Sequence, residues 1–168
     1  SSEVYEKIIA IRDHGRSESG VSVLSARNSR LDNLQAAYLN YFLNNHFDGW
    51  IEKRREITAI YDDALCNLEH VIIPKYNNRD GHKPVYQNYE FLASNRDELR
   101  EYLSRNNVGT LIQWGGQSIH ENRAFCLNKT LKKTEEYFQK CLMLPLNQTM
   151  SFDNARYVAK LVCDFYGN

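Results

Sequence analysis

The sequence predicts an α+β fold: a small antiparallel or mixed sheet of three to four strands, covered by helices and preceded by long helices. Three observations carry this. Apolar residues recur at helical spacing from Leu31 to Leu68. The pattern then changes at the β-branched run Val71-Ile72-Ile73, which ends at Pro74, and at Val85 to Leu92, where large apolar and polar side chains alternate. Helical spacing returns over the last third of the chain. A chain of 168 residues, 42% of them hydrophobic, is long enough for one core of ordinary size, since folding at this length removes roughly 70% of the extended chain's surface from water. One domain is the default at that size, with room for an arm.

Taken in order, Glu3 to His14 places Val4, Tyr5, Ile8, Ile9 and Ile11 on a short amphipathic helix that stops at Gly15, a residue suited to a helix end. Arg16 to Ala26 is rich in Ser and Gly and reads as a loop. From Arg30, Leu31, Leu34, Tyr38, Tyr41 and Phe42 have helical spacing. Phe47, Trp50, Ile51, Ile57, Tyr61, Leu65 and Leu68 continue it beyond the polar stretch Asn44-Asn45-His46, so two consecutive helices or one kinked helix are expected. Strands follow at Val71–Ile73 and Val85–Leu92, separated by a polar loop around Asn77 to Gly81. Asn95 is placed to cap a helix over Arg96–Arg105 with Leu99 and Leu103 inward, and Val108–Trp114 reads as a third strand. Lys132–Leu142 reads as a helix stopped before Pro145. Ser151 caps the last helix, whose inner stripe is Phe152, Ala155, Val158, Val162 and Phe165.

Composition narrows the function classes. With 21 Lys+Arg against 21 Asp+Glu the formal net charge is zero, whereas partners such as nucleic acids or anionic membranes are usually met by an excess of basic side chains. No nucleic-acid or membrane partner is expected. No apolar run approaches the roughly 20 residues that span a bilayer, and residues 1–20 lack the pattern of a signal peptide, so the cytoplasm is the expected compartment. Cys66, Cys126, Cys141 and Cys163 form no CxxC pair and are read as reduced, mostly buried thiols. Five histidines without HxxH or HExxH spacing give no metal site. The sequons at Asn128 and Asn147 matter only in a secreted chain. His120 and Cys126 invite a nucleophilic Cys-His reading, yet such a pair needs spatial contact and an orienting third group. Gly115-Gly116 lacks the surrounding glycines of a phosphate-binding loop and reads as a tight turn.

Arg27-Asn28-Ser29-Arg30 is placed at the start of a helix, where free backbone N–H groups and the positive dipole end favour an anion. Asn28 has amide hydrogens to offer a phosphate oxygen, and Arg30 a charge-assisted bond. On residue types alone the commoner role is plainer: Asn28 or Ser29 as an N-cap and Arg30 as a solvated first-turn residue.

The longer string Asn28-Ser29-Arg30-Leu31-Asp32-Asn33-Leu34-Gln35-Ala36-Ala37 changes that balance. Together with Trp50 to Ile57 and Tyr61 to Leu65, it resembles the DegT/StrS group of nucleotide-sugar aminotransferases, fold-type I enzymes that use pyridoxal 5'-phosphate. Ile11 to Gly15, Val85 to Tyr89, Arg96 to Arg100, Val108 to Ile112 and Leu144 to Leu146 match in the right order, so the resemblance covers nearly the whole chain. It implies the C-terminal part of a longer enzyme: residues 1–29 as the end of the large cofactor domain, 30–69 as connecting helices and 70–168 as the small α+β domain. The aldimine lysine, the aromatic that stacks on the cofactor and the acid that pairs with its pyridine nitrogen lie upstream in the family, so no catalytic residue is nominated and the chain alone is expected to be inactive. By the same resemblance Asn28 reaches the cofactor phosphate of the partner subunit in a homodimer, with Arg30 as helper. Gln113, Trp114 and His120 line the sugar side, glutamate is the amino donor and a nucleotide-linked keto-sugar the acceptor. The Gln-Trp-Gly-Gly form is similar to enzymes aminating a dTDP-3-keto-6-deoxyhexose. There are departures: Ala26 and Arg27 replace the family's usual residues before the asparagine, and Gln113-Trp114-Gly115 replaces the common His-aromatic-Pro. The alternative from another class is a non-catalytic α+β interaction module.

Overall fold

The computed structural model describes residues 1–73, 83–125, 127 and 129–167, and the chain forms two compact units, Ser1–Phe47 and Asp48–Asn168. In the first, helix α1 (Ser2–Arg12) ends at Asp13, and helix α2 (Asn33–Asn45) leads to His46. The turn after α1 places His14 and Gly15 at φ 56° and 71°, and the Gly15 N–H returns 2.8 Å to the Ala10 carbonyl. A Cβ on Gly15 would lie 1.8 Å from the Leu24 carbonyl oxygen, so only glycine fits where the loop folds back. Much of the apolar surface of both helices is open: Val4, Tyr5, Ile8 and Ile11 of α1 and Leu34, Tyr38 and Tyr41 of α2 are all exposed.

Helix α3 (Phe47–Leu65) begins directly after His46, so the expected pair of consecutive helices is present. It supplies Ile57, Tyr61 and Leu65 to the core of the second unit, each 0% exposed and four residues from the next, which is the repeat of one helix face. The sheet has three antiparallel strands in the order β1 (Val71–Ile72), β2 (Tyr89–Ala93), β3 (Cys141–Leu144). Val71 pairs with Ala93 and Phe91 with Leu142. Along β2 the alternation is plain: Tyr89, Phe91 and Ala93 are buried, while Glu90 and Leu92 are half-buried on the other face. Helices α4 (Arg96–Arg105) and α6 (Phe152–Tyr166) close the core with Leu99 and Leu103, and with Ala155, Val158, Ala159, Leu161 and Val162. Each fully buried Leu or Val of this kind contributes about 1.5–3 kcal/mol relative to exposure. The Tyr61 hydroxyl, also in the core, donates to the Pro145 carbonyl at 2.7 Å.

Several elements differ from the sequence reading. Val108–Trp114 is not a strand. Val108 caps α4 by donating to the Leu103 carbonyl at 2.9 Å, Leu111 makes an isolated bridge with Met143, and the chain turns away at Gln113. The third strand is instead β3, because the expected helix Lys132–Leu142 stops at Lys140 as α5 (Lys132–Lys140) and its last apolar residues pair with β2. The expected strand Val85–Leu92 is hydrogen-bonded only from Tyr89. Asn95 adopts a left-handed conformation, φ 53°, and its side chain does not cap α4. Ser151 does cap α6, accepting from the Asn154 N–H at 3.1 Å. Cys141 is buried and Cys163 half-buried, but Cys66 is exposed. No helix among the described residues is long and apolar enough to cross a membrane.

Candidate functional site

The nominated residues fall into two groups, one in each unit. In the first unit the chain returns antiparallel to the end of α1: Asp13 bridges Asn28, and the Ser29 N–H donates to the Arg12 carbonyl at 2.9 Å. Asn28 is therefore held by backbone pairing, not by a helix. The expectation that Asn28 or Ser29 caps a helix is corrected here, because α2 starts at Asn33 and its cap is Asp32. The Asp32 carboxylate accepts from the Gln35 N–H at 2.8 Å and the Gln35 side chain accepts from the Asp32 N–H, a reciprocal capping box. Free helical N–H groups thus play no part at Asn28.

What Asn28 has is its own amide. Its Oδ1 accepts from the backbone N–H of Arg30 at 3.3 Å and from Arg30 Nε at 3.1 Å. With the oxygen turned to Arg30, the two N–H donors of the amide have no acceptor among the described residues. Arg30 also stands 3.6 Å from Asp13 Oδ1, an oxygen that is buried and accepts no hydrogen bond among the described residues. Exposed amide donors beside a guanidinium suit an anion with several acceptor oxygens. A phosphate fits this donor set, and Asp13 orients Arg30 at the cost of part of its charge.

In the second unit Gln113–Gly116 forms a 3₁₀ turn in which Trp114, Gly115 and Gly116 have φ 51°, 68° and 77°. The Gly115-Gly116 pair is the tight turn its sequence suggested. This backbone holds the Trp114 side chain in solvent, 79% exposed, while Gln113 is half-buried. A core role for Trp114 is excluded within this unit. His120, in a second 3₁₀ turn (Ile119–Glu121), is the opposite case at 5% exposed. Its Nε2 lies 2.9 Å from Glu135 Oε1 and 3.4 Å from Ser118 Oγ.

Three polar residues around His120 were not singled out in the sequence. Ser118 and Glu121 form a capping box in which both the Ser118 N–H, at 3.0 Å, and its hydroxyl donate to Glu121 Oε2. Ser-x-x-Glu is a readable signal for that motif. Glu135 carries none, since it meets His120 from a different helix. The hydrogen bond from His120, then the Leu131 N–H, hold the Glu135 carboxyl below the usual carboxylate range, and the Ser118 bonds do the same for Glu121. An ionised Glu135 only accepts, so Nε2 of His120 is the donor to it. His120 Nδ1 is buried and without a partner among the described residues.

The proposed Cys-His pair falls outside the described residues, because Cys126 does. Burial pushes the thiols of Cys141 and Cys163 up, away from the thiolate form that a nucleophile requires. No group of three or more His, Cys, Asp or Glu residues suited to a metal is present among the described residues.

A three-stranded sheet and helices of this arrangement define a class: the fold is that of fold-type I aminotransferases. S. venezuelae DesV, crystallised with a ketimine intermediate, superposes with a TM-score of 0.87 over 100% of this chain and 45% of its own, at 24% sequence identity. Residues 1–163 match the DegT/DnrJ/EryC1/StrS aminotransferase family, and the chain belongs to it. A pleiotropic regulatory protein of Geobacillus stearothermophilus is 30% identical over 98% of this chain, and a dTDP-3-amino-3,6-dideoxy-alpha-D-galactopyranose transaminase of Aneurinibacillus thermoaerophilus is 26% identical over 95%. The chain spans 45% and 43% of the lengths of these relatives. The family's sugar aminotransferases depend on pyridoxal 5'-phosphate.

Proposed function

We propose that this chain is the C-terminal portion of a homodimeric aminotransferase that moves an amino group from glutamate to a nucleotide-linked keto-sugar, a dTDP-3-keto-6-deoxyhexose. The family match across residues 1–163 carries the reading. Residues 1–29 end the cofactor domain, 30–69 connect, and 70–168 form the small domain. When bound, pyridoxal phosphate supplies the electron sink for the transfer. This chain supplies binding and orientation. Asn28 donates its free amide hydrogens to the cofactor phosphate of the partner subunit, and Arg30, steadied by Asp13 and Asn28, adds positive charge. Trp114 offers an exposed aromatic face to an apolar sugar face, with Gln113 beside it for hydrogen bonding. His120 follows this turn in the chain, and its Nδ1, without a partner among the described residues, hydrogen-bonds a sugar hydroxyl.

The half-reactions of the full-length enzyme test the reading. Wild type aminates the keto-sugar with glutamate as donor. Trp114→Ala slows the sugar half-reaction by one to two orders of magnitude, about 1.4–2.7 kcal/mol, and leaves the glutamate half-reaction near wild type. Equal loss in both steps returns Trp114 to a structural role. No amino transfer to any nucleotide-linked keto-sugar favours the non-catalytic interaction module, the reading to which the regulatory name of the Geobacillus relative lends support.

A further inference from the structure

The segment that displays Gln113 and Trp114 meets helix α5 at two points. At the first, a Cβ on Gly116 would lie 3.3 Å from Ile112 Cγ2 and 3.8 Å from the Phe138 carbonyl, so the turn rests against α5. At the second, His120 Nε2 meets Glu135 Oε1 at 2.9 Å, and the same oxygen accepts the Leu131 N–H at 2.8 Å. The chain that leads into the first point carries three consecutive residues at positive φ, Trp114, Gly115 and Gly116, and its two glycines have the least restricted backbone of any residue. The charge-assisted bond is the strong tether of the buried ring: Ser118 Oγ lies farther away at 3.4 Å and gives its proton to Glu121, and Nδ1 has no partner among the described residues.

From this geometry we propose that Glu135 is a positioning residue for the sugar side of the site, setting through His120 where the Gln113–Glu121 segment stands without itself touching the substrate. The proposal rests on the sugar-aminotransferase reading above. Its ligand is the nucleotide-linked sugar, and its effect is on binding and orientation of that sugar, not on the amino donor.

The experiment uses the full-length enzyme loaded with pyridoxal phosphate, with glutamate and a dTDP-linked 3-keto-6-deoxyhexose as probes. Glu135→Ala raises KM for the sugar about tenfold and leaves the KM and rate of the glutamate half-reaction within twofold. Glu135→Gln, which keeps the acceptor oxygen, restores the sugar KM to within about threefold. Hydrogen exchange in Glu135→Ala accelerates in residues 113–121 and not in β2 or β3. Should Glu135→Ala not fold, Glu135→Asp, which withdraws the carboxylate by one methylene, shows the same split at smaller size. Parallel loss in both half-reactions, an unchanged sugar KM, or exchange that rises equally in the sheet overturns the proposal. Wild-type enzyme that aminates no nucleotide-linked sugar overturns the parent reading instead, and this one with it.

Discussion

Asn28 shows how a single side chain divides its work. Its oxygen is committed to Arg30, which leaves the amide hydrogens for the phosphate contact proposed above. In the full-length enzyme Asn28→Ala weakens cofactor binding by about 1.5–3 kcal/mol, the usual cost of a lost hydrogen bond to a charged group. Titration of apo-enzyme with pyridoxal phosphate measures this, and unchanged affinity with a lower Tm would mark Asn28 as purely structural. Asp62 makes a second prediction. It lies half-buried on α3 and accepts the Tyr89 hydroxyl at 2.8 Å, yet burial outweighs that bond and raises its pKa. A carboxyl whose pKa is higher in the folded state contributes stability below its unfolded value, near pH 4, and loses it as the pH rises through the raised one. Asp62→Asn keeps the acceptor for Tyr89 and removes the buried charge. Its Tm therefore exceeds wild type at pH 7, and the gain disappears below about pH 4. A gain independent of pH in melting curves would refute the cause assigned.

Among the elements, β3 carries the second unit. All four of its residues are buried, Cys141 and Leu142 completely, and its backbone is paired by β2 on one edge and met by the Leu111 bridge on the other. Leu142→Ala opens a cavity between β2 and the helices and costs about 2–5 kcal/mol in chemical denaturation. Leu34, 82% exposed on α2, is the control: Leu34→Ala in this chain stays within about 0.5 kcal/mol. Equal costs at the two positions would mean that the burial assigned to these elements is wrong.

For the molecule as a whole, the exposed apolar faces of α1 and α2 and the paired core of Asp48–Asn168 describe units of unequal independence. On the proposed reading none of this chain's lysines carries the cofactor. Added pyridoxal phosphate followed by borohydride is then expected to label several lysines partially, as peptide mapping reads out, with no transaminase activity. Stoichiometric labelling of a single lysine would overturn this expectation.

The sequence alone determined the elements whose signal is local. The i, i+4 stripe of Ile57, Tyr61 and Leu65, the pair Leu99 and Leu103, and Ala155, Val158 and Val162 each state a helix and its inner face, since a helix brings those residues together unaided. It also carried the family, through the string from Asn28 to Ala37, and Ser151 as a cap. Tertiary structure alone decided whatever needs a distant partner. Cys141-Leu142-Met143-Leu144 has no β-branched residue and continues a helical run, so only β2 makes it a strand. Val108–Trp114 has strand-like composition, yet Val108 is drawn to the end of α4 and Trp114 is turned outward by its backbone. The same holds at the site. Asn28 stands on a bridge to Asp13 where a helix start was expected, and His120 is buried against Glu135. Spacing along the chain cannot report such pairs, because their energy comes from desolvation and charge at contacts that exist only after the chain has closed on itself.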